Sequence, residues 1–388
     1  MSNEEIQGQI RPGLLSFIYG MPDPEAFPIE PLIASTEEAL RKRGRVALQY
    51  GPTRGYRALL DYLIEKFRRE EGLSLSRENL LISAGASQAL EMVCCLFARP
   101  GDTVLVEAPT YHETLMILRD FRLCLRQIPL DGEGLRVDIL RQKLGRLRAE
   151  GMRPSFIYVI PDFQNPSGLT MSLARREELI RLAHEFETLI VEDDVYRELC
   201  YEGEVPPSLY ALDERAGGSH VIRLGSFSKI IAAGLRLGWV MAAPVHIERF
   251  MNSGLAAAAG GANPFVSHVV ATFCHRGLLE PHIIALVERY RAKRDVMLAA
   301  LAEFMPEGVS WTHPSGGFFV WLTLPPELEA QALLKEAEEH GITYLPGPHF
   351  FAEGGGEHNI RLPFSFLPPE RIEQGVEILA KVISCHLR

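Results

Sequence analysis

One lysine in the chain has the surroundings that make an amine reactive. Lys229 closes the run Gly225-Ser226-Phe227-Ser228-Lys229, just past a stretch that reads as a buried strand. A lysine held there by small and hydroxyl neighbours cannot easily carry its charge out to water, and desolvation lowers the pKa of an ammonium. The neutral amine is then a nucleophile able to form a Schiff base. Ser226 and Ser228 offer hydroxyl donors for a phosphate, and Arg236 supplies a matching charge. Taken alone, the same residues also describe a Lys-Arg pair on a surface loop.

Two further segments carry polar groups in unusual places. Asn165, in Gln164-Asn165-Pro166-Ser167-Gly168, lies in an Asn-Pro-x-Gly turn after a strand, where its amide can bond a ring oxygen of a ligand or simply make the turn. Val191-Glu192-Asp193-Asp194-Val195-Tyr196 ends another apolar strand with three carboxylates. Each needs a partner, because an unpaired buried charge is strongly unfavourable.

The elements that position these residues alternate. Strands are expected over 79–83, 103–107, 123–129, 154–160, 189–195, 221–225 and 237–242, with helices over 86–98 and 172–186 and another opening near Tyr111. Apolar strands between amphipathic helices predict an α/β fold with a mostly parallel central sheet covered on both faces. Ligands in such sheets sit at the carboxyl ends of the strands, where Asn165, Asp193 and Lys229 fall. A long helix over 281–304 leads into a smaller α+β unit, with strands over 310–324 and 358–366 and helices over 327–340 and 369–387. The expected division is an arm or part of the small unit over 1–45, a large domain over 46–280 and a small one over 281–388. The first 45 residues show little periodicity.

The 388 residues carry 40 Lys+Arg against 50 Asp+Glu, a net charge of −10 that gives no reason to expect nucleic acid. No run of about 18 apolar residues predicts a membrane span, and the acidic N-terminus lacks the apolar core of a signal peptide. Six scattered cysteines with no Cys-x-x-Cys pair fit a reducing, cytoplasmic setting. No Cys/His group has metal-ligand spacing, so no metal is expected.

Asn165, Asp193, Tyr196, Lys229, Arg236 and Arg361, in this order, make the chain resemble the fold-type I pyridoxal-phosphate enzymes. The closest likeness is to class I/II aminotransferases of the 2-aminoadipate and kynurenine subgroup, and it runs from about Gly20 to Phe366. The resemblance implies that Lys229 holds the cofactor as an internal aldimine and later moves a proton between substrate and cofactor. It implies that Asp193 keeps the pyridine nitrogen protonated, and that Tyr196 and Asn165 bond the ring's phenolic oxygen. Tyr111 matches the aromatic that stacks on the ring. Gly85, Ala86 and Ser87 match the phosphate-binding turn before a helix, joined by Ser226, Ser228 and Arg236. Arg361, in Asn359-Ile360-Arg361-Leu362-Pro363, matches the arginine that grips the substrate carboxylate, near Gly20, and Asn165 borders the same position. Tyr50 matches a tyrosine that reaches the phosphate of a neighbouring subunit, which implies a homodimer with shared sites.

The sequence departs from the family pattern twice. Ala233-Gly234 stands where relatives carry proline before the glycine, and 255–262 is a run of alanine and glycine where relatives are more polar. That run reads equally as a roomy pocket wall or as tight helix packing. The resemblance implies transfer of the amino group of an L-amino acid to a 2-oxo acid by a ping-pong route. The alternatives are a β-lyase or decarboxylase on the same fold, and an aminotransferase-like ligand sensor, for which the arm ahead of the match is too short and not basic. A generic nucleotide-binding protein lacks its glycine or lysine loop.

Overall fold

The computed structural model describes residues 13–259 and 261–387. Two sheets organise it. The larger has eight strands, in the spatial order Leu80–Ser83, Gly238–Ala242, Val221–Ser226, Leu189–Asp193, Phe156–Val159, Thr103–Ala108, Cys124–Asp131 and Gly134–Leu135. Strands from Val221–Ser226 through Cys124–Asp131 pair in parallel, and Gly238–Ala242 runs antiparallel to both its neighbours. Two apolar layers cover its faces, one containing Leu105, Ile157 and Ile190, the other Val104, Phe156 and Val191. Neighbouring residues of one strand thus enter opposite layers, which is why these strands read as unbroken apolar runs.

The helices follow local signals. Ala86–Phe97 buries Ala89, Leu90, Val93 and Cys94 on one face. Leu173–Phe186 starts where the Ser172 hydroxyl accepts the Arg175 N–H, and stops at Glu187 in the left-handed conformation. The six cysteines are free thiols, Cys94 and Cys274 among them buried as small apolar residues.

The smaller sheet runs Leu15–Phe17, Ile342–Pro346, Asn359–Pro363, Phe319–Thr323 and Ser310–Trp311. Its first pair is parallel, so the N-terminal strand is stitched into the C-terminal sheet. The expected strand over 310–324 is two strands, separated because Gly316 and Gly317 press against Phe163, where a Cβ at Gly317 would fall 2.6 Å from the Phe163 Cβ. Strand Ile342–Pro346 has no counterpart among the sequence expectations. The aperiodic reading of the first 45 residues also needs correction: Ile29–Ala47 is a 19-residue helix packed on helix Pro264–His275. Its pattern hides because Ile29, Ile33, Leu40 and Val46 point outward and are exposed. Residues 1–12 of the expected arm lie outside the described residues. In the 255–262 run, Gly254–Ala259 is helical, and a Cβ on Gly261 would meet the Pro52 carbonyl at 2.2 Å. Close packing therefore holds at that end of the run, and residue 260 lies outside the described residues.

Candidate active site

Four parallel strands end along one edge of the large sheet, at Ala108, Val159, Asp193 and Ser226, and the polar residues singled out above follow them. The three carboxylates at the end of Leu189–Asp193 meet three different fates. Glu192 points to one face and caps helix Leu209–Arg215, accepting the Leu209 and Tyr210 N–H groups at 2.8 and 3.0 Å. Asp194 takes the buried Arg223 guanidinium at 2.5 Å, and Arg223 in turn reaches Glu71 at 2.7 Å. Asp193 receives only the Tyr158 hydroxyl, at 2.5 Å on Oδ2, and its Oδ1 is buried with no hydrogen-bond partner. Burial, and then the neighbouring Asp194 charge, outweigh that hydroxyl and push the Asp193 carboxyl up to about 6.

Lys229 lies one short turn beyond Val221–Ser226. Its Nζ donates to the Gly20 carbonyl at 3.3 Å and stands 5.8 and 5.5 Å from the ring centres of Tyr196 and Phe318. Desolvation among these rings brings its pKa down to about 8, helped by the Arg236 and Arg361 charges and opposed by Glu113 and Asp193. Gly225 permits this geometry, since a Cβ there would fall 2.0 Å from the Trp239 ring on the paired strand.

Behind the lysine is an anion cradle. The Ser226 hydroxyl donates to Ser228 Oγ at 2.9 Å, and Arg236 Nη1 reaches the same Oγ at 3.4 Å. Gly85, at φ +91°, caps helix Ala86–Phe97 with no side-chain partner, and a Cβ on it would stand 3.0 Å from Arg236 Nη2. The opening N–H groups of that helix, at Ala86 and Ser87, thus point their positive end at the arginine's side of the loop. Three donor types converge here, as a phosphate requires.

Arg361 comes from the smaller sheet. It is 2% exposed, lies between the rings of Phe319 and Phe350 at 4.6 and 4.8 Å, and donates Nη1 to Asn165 Oδ1 at 2.9 Å and Nη2 to the Ile18 carbonyl at 2.5 Å. Its Nε has no partner. Asn165 also bonds Tyr196, whose hydroxyl burial holds in its neutral form. Gly20 packs against the tip of the Phe319 ring, where a Cβ would lie 2.3 Å from Cζ. Tyr111, half-buried at the start of helix His112–Asp120, bonds Glu113.

All the sequence-singled residues except Tyr50 thus gather where the two sheets meet. Tyr50 is 81% exposed in the single chain. Sequence reasoning passed over Tyr158, the aromatic clamp Phe319–Phe350 and Glu113. Glu113 could have been noticed as an acid two residues after Tyr111; its charge acts on both Lys229 and Arg361. Tyr158 and the clamp carry no sequence signal that separates them from ordinary core.

The family profile described as aminotransferase class I and II matches residues 22–379. Among curated relatives, an aromatic-amino-acid aminotransferase of Thermococcus litoralis is 40% identical over 370 residues, covering 95% of this chain and 88% of its own. A 2-aminoadipate transaminase of Thermus thermophilus is 38% identical over 377 residues, covering 96% and 91%. The crystal structure of an α-aminoadipate aminotransferase of Thermus thermophilus, complexed with N-(5′-phosphopyridoxyl)-L-leucine, superposes with a TM-score of 0.89 at 36% identity, over 97% of this chain and 93% of that one. The chain belongs to the class I/II aminotransferases. It is a pyridoxal 5′-phosphate-dependent aminotransferase of the α/β fold type I, related to the 2-aminoadipate and kynurenine enzymes. The residues present fit that cofactor: an unpartnered buried carboxylate oxygen suits a pyridinium N–H, and the cradle suits a phosphate.

Two expectations follow from the geometry at Arg361. Arg361→Lys loses the planar fork, and truncation of a buried charged contact costs roughly 2–5 kcal/mol. The KM for amino and oxo acid should therefore rise by about 30-fold or more, in steady-state kinetics with both substrates varied. Gly20→Ala forces Phe319 off the guanidinium, and overpacking of this kind costs about 1–3 kcal/mol. A lower unfolding temperature together with a raised KM is the expected result, while an unchanged KM would show that displacing Phe319 from Arg361 does not reach substrate binding.

Proposed function

We propose that the enzyme moves the amino group of an L-amino acid to a 2-oxo acid in two half-reactions at one site. The observation that carries this reading is the unpaired, buried Asp193 Oδ1 sharing a site with a desolvated lysine amine. Pyridoxal 5′-phosphate, when bound, supplies an aldehyde that condenses with amines and a protonatable ring that withdraws electrons from the substrate Cα–H bond. Lys229 Nζ would hold that aldehyde and, when free, would move a proton at the substrate Cα. Asp193 Oδ1 would hold a proton on the ring nitrogen, with Tyr158 fixing its other oxygen. Asn165 and Tyr196 bond the phenolic oxygen, and Tyr111 covers one ring face. The turn Gly85-Ala86-Ser87 with Ser226, Ser228 and Arg236 binds the phosphate. Arg361 forks onto the substrate carboxylate beside Asn165 and Gly20.

We infer that each sheet heads one of two domains, the larger between about residues 46 and 280, and the reading extends to a homodimer. Ile29, Ile33 and Leu40 share one exposed face of their helix, and beyond its kink at Arg43 Val46 and Leu48 are also exposed on the approach to Tyr50. A second copy on that face buries it and brings Tyr50 to the neighbouring phosphate cradle. A cytoplasmic setting accords with six free thiols. The amino donors fall within the range for which relatives are named, aromatic amino acids and 2-aminoadipate.

Hybrid dimers test the shared site. Tyr50→Ala and Lys229→Ala chains are each impaired alone, but mixing them creates one site with both residues intact. Regained activity after subunit exchange supports the reading. A mixture no more active than its parents contradicts it.

A further inference from the structure

The large sheet has an opposite edge, where its parallel strands begin, and three side chains meet there without a role in transamination. His184 lies in the last turn of helix Leu173–Phe186, Asp213 in helix Leu209–Arg215, and His220 immediately before strand Val221–Ser226. We propose that His184, Asp213 and His220 form a binding site for a divalent first-row transition ion such as zinc.

The geometry is that of a two-histidine, one-carboxylate set. His184 Nε2 stands 2.7 Å and His220 Nδ1 3.7 Å from Asp213 Oδ1. The three ligand atoms all lie within 4.8 Å of one another. Tetrahedral ligands at about 2.0–2.1 Å from zinc stand roughly 3.3 Å apart, a spacing that the two observed contacts bracket. The carboxylate is aimed, because its Oδ2 accepts the His220 and Val221 N–H groups at 2.7 and 3.2 Å, leaving Oδ1 for the imidazoles. His220 Nδ1 is buried and has no hydrogen-bond partner. Gly218 crosses close by, where a Cβ would fall 2.0 Å from Asp213 Oδ1 and 2.5 Å from His184 Nε2, so any side chain there would occupy the position between the ligands.

Two imidazoles and one carboxylate favour zinc, cobalt, nickel or copper over magnesium or calcium, which prefer oxygen throughout. The His184 and His220 side chains are 33% and 25% exposed, so an ion can enter and water can complete its shell. Bound there, the ion ties two helices to the start of the strand whose far end carries Ser226 and leads to Lys229. Sequence spacing concealed the set because each ligand comes from a different element.

The test uses the holoenzyme, freed of adventitious metal with a chelator and titrated with zinc chloride by calorimetry. The expected result is one zinc per chain and an unfolding temperature that rises with zinc. His184→Gln and His220→Asn should each weaken binding by about 10-fold or more, while transamination without zinc stays at the wild-type rate. Zinc affinity equal in the wild type and in the double variant would overturn the site, as would no uptake by the wild type. X-ray absorption of the cobalt-loaded wild type decides the matter even if a variant fails to fold. Nitrogen and oxygen neighbours support the set, and sulfur neighbours assign the ion to the exposed cysteines instead.

Discussion

Lys229→Ala is expected to bind pyridoxal 5′-phosphate and to lose turnover by roughly 10²- to 10⁴-fold, the range a positioned proton-transfer group supplies. Binding survives because the cradle of Ser226, Ser228, Arg236 and the helix beginning at Ala86 does not depend on the amine. Turnover does not, because the amine that stands at the Gly20 carbonyl and the Tyr196 ring is the group removed. The pH dependence follows from the same environment. An exposed lysine ionises near 10.4, and this one, desolvated, sits at about 8. Its neutral, reactive fraction in the cofactor-free chain therefore grows as pH rises through 8 and is lost below it. Labelling of Lys229 with an amine-selective reagent should reach half its maximal rate near that pH, well before the surface lysines react. A half-point with the surface lysines would mean that burial does not activate Lys229.

Asp193→Asn should separate stability from activity. Because burial raises the folded carboxyl to about 6 from its usual 3.8, the folded, cofactor-free chain binds more protons than the unfolded one between those values. Its stability accordingly falls as pH rises through that window, and at pH 7 an ionised, half-satisfied carboxylate remains as a strain on the fold. Asparagine keeps the shape, still accepts the Tyr158 hydroxyl and removes the charge. The cofactor-free variant should unfold at the same or a higher temperature at pH 7, with the difference vanishing below about pH 4. Turnover should fall by about 10²–10³-fold, the scale on which loss of one preorganised electrostatic contact acts. A variant that is both less stable and fully active would remove Asp193 from the ring nitrogen.

Much of this site was legible in the sequence because its residues are polar groups at the ends of apolar strands, where chemistry and packing conflict visibly. Asp193, Lys229 and Asn165 each break a hydrophobic pattern, and the parallel sheet follows from the runs they interrupt. Glu192 and Asp194 break it equally, and only the fold tells them apart: one caps a helix, the other pairs with Arg223. Residues that do their work by shape left no such mark. Phe319 and Phe350 read as core, yet they hold the Arg361 guanidinium between them. The helix Ile29–Ala47 was hidden for the opposite reason, since its large side chains Ile29, Ile33, Leu40 and Val46 face out of the single chain while small residues such as Ala39 and Ala47 take its buried side. The pairing of Leu15–Phe17 with Ile342–Pro346 joins residues too far apart in sequence for any local pattern to announce.

The most direct test of the central claim follows the cofactor through a single half-reaction. The purified holoenzyme is mixed with one L-amino acid at a time, with no 2-oxo acid present, and its visible spectrum and released products are measured. Full conversion of bound pyridoxal phosphate to pyridoxamine phosphate, with one equivalent of 2-oxo acid per site and no ammonia, is the predicted result. Release of ammonia or carbon dioxide with the cofactor left in its aldehyde form would contradict it.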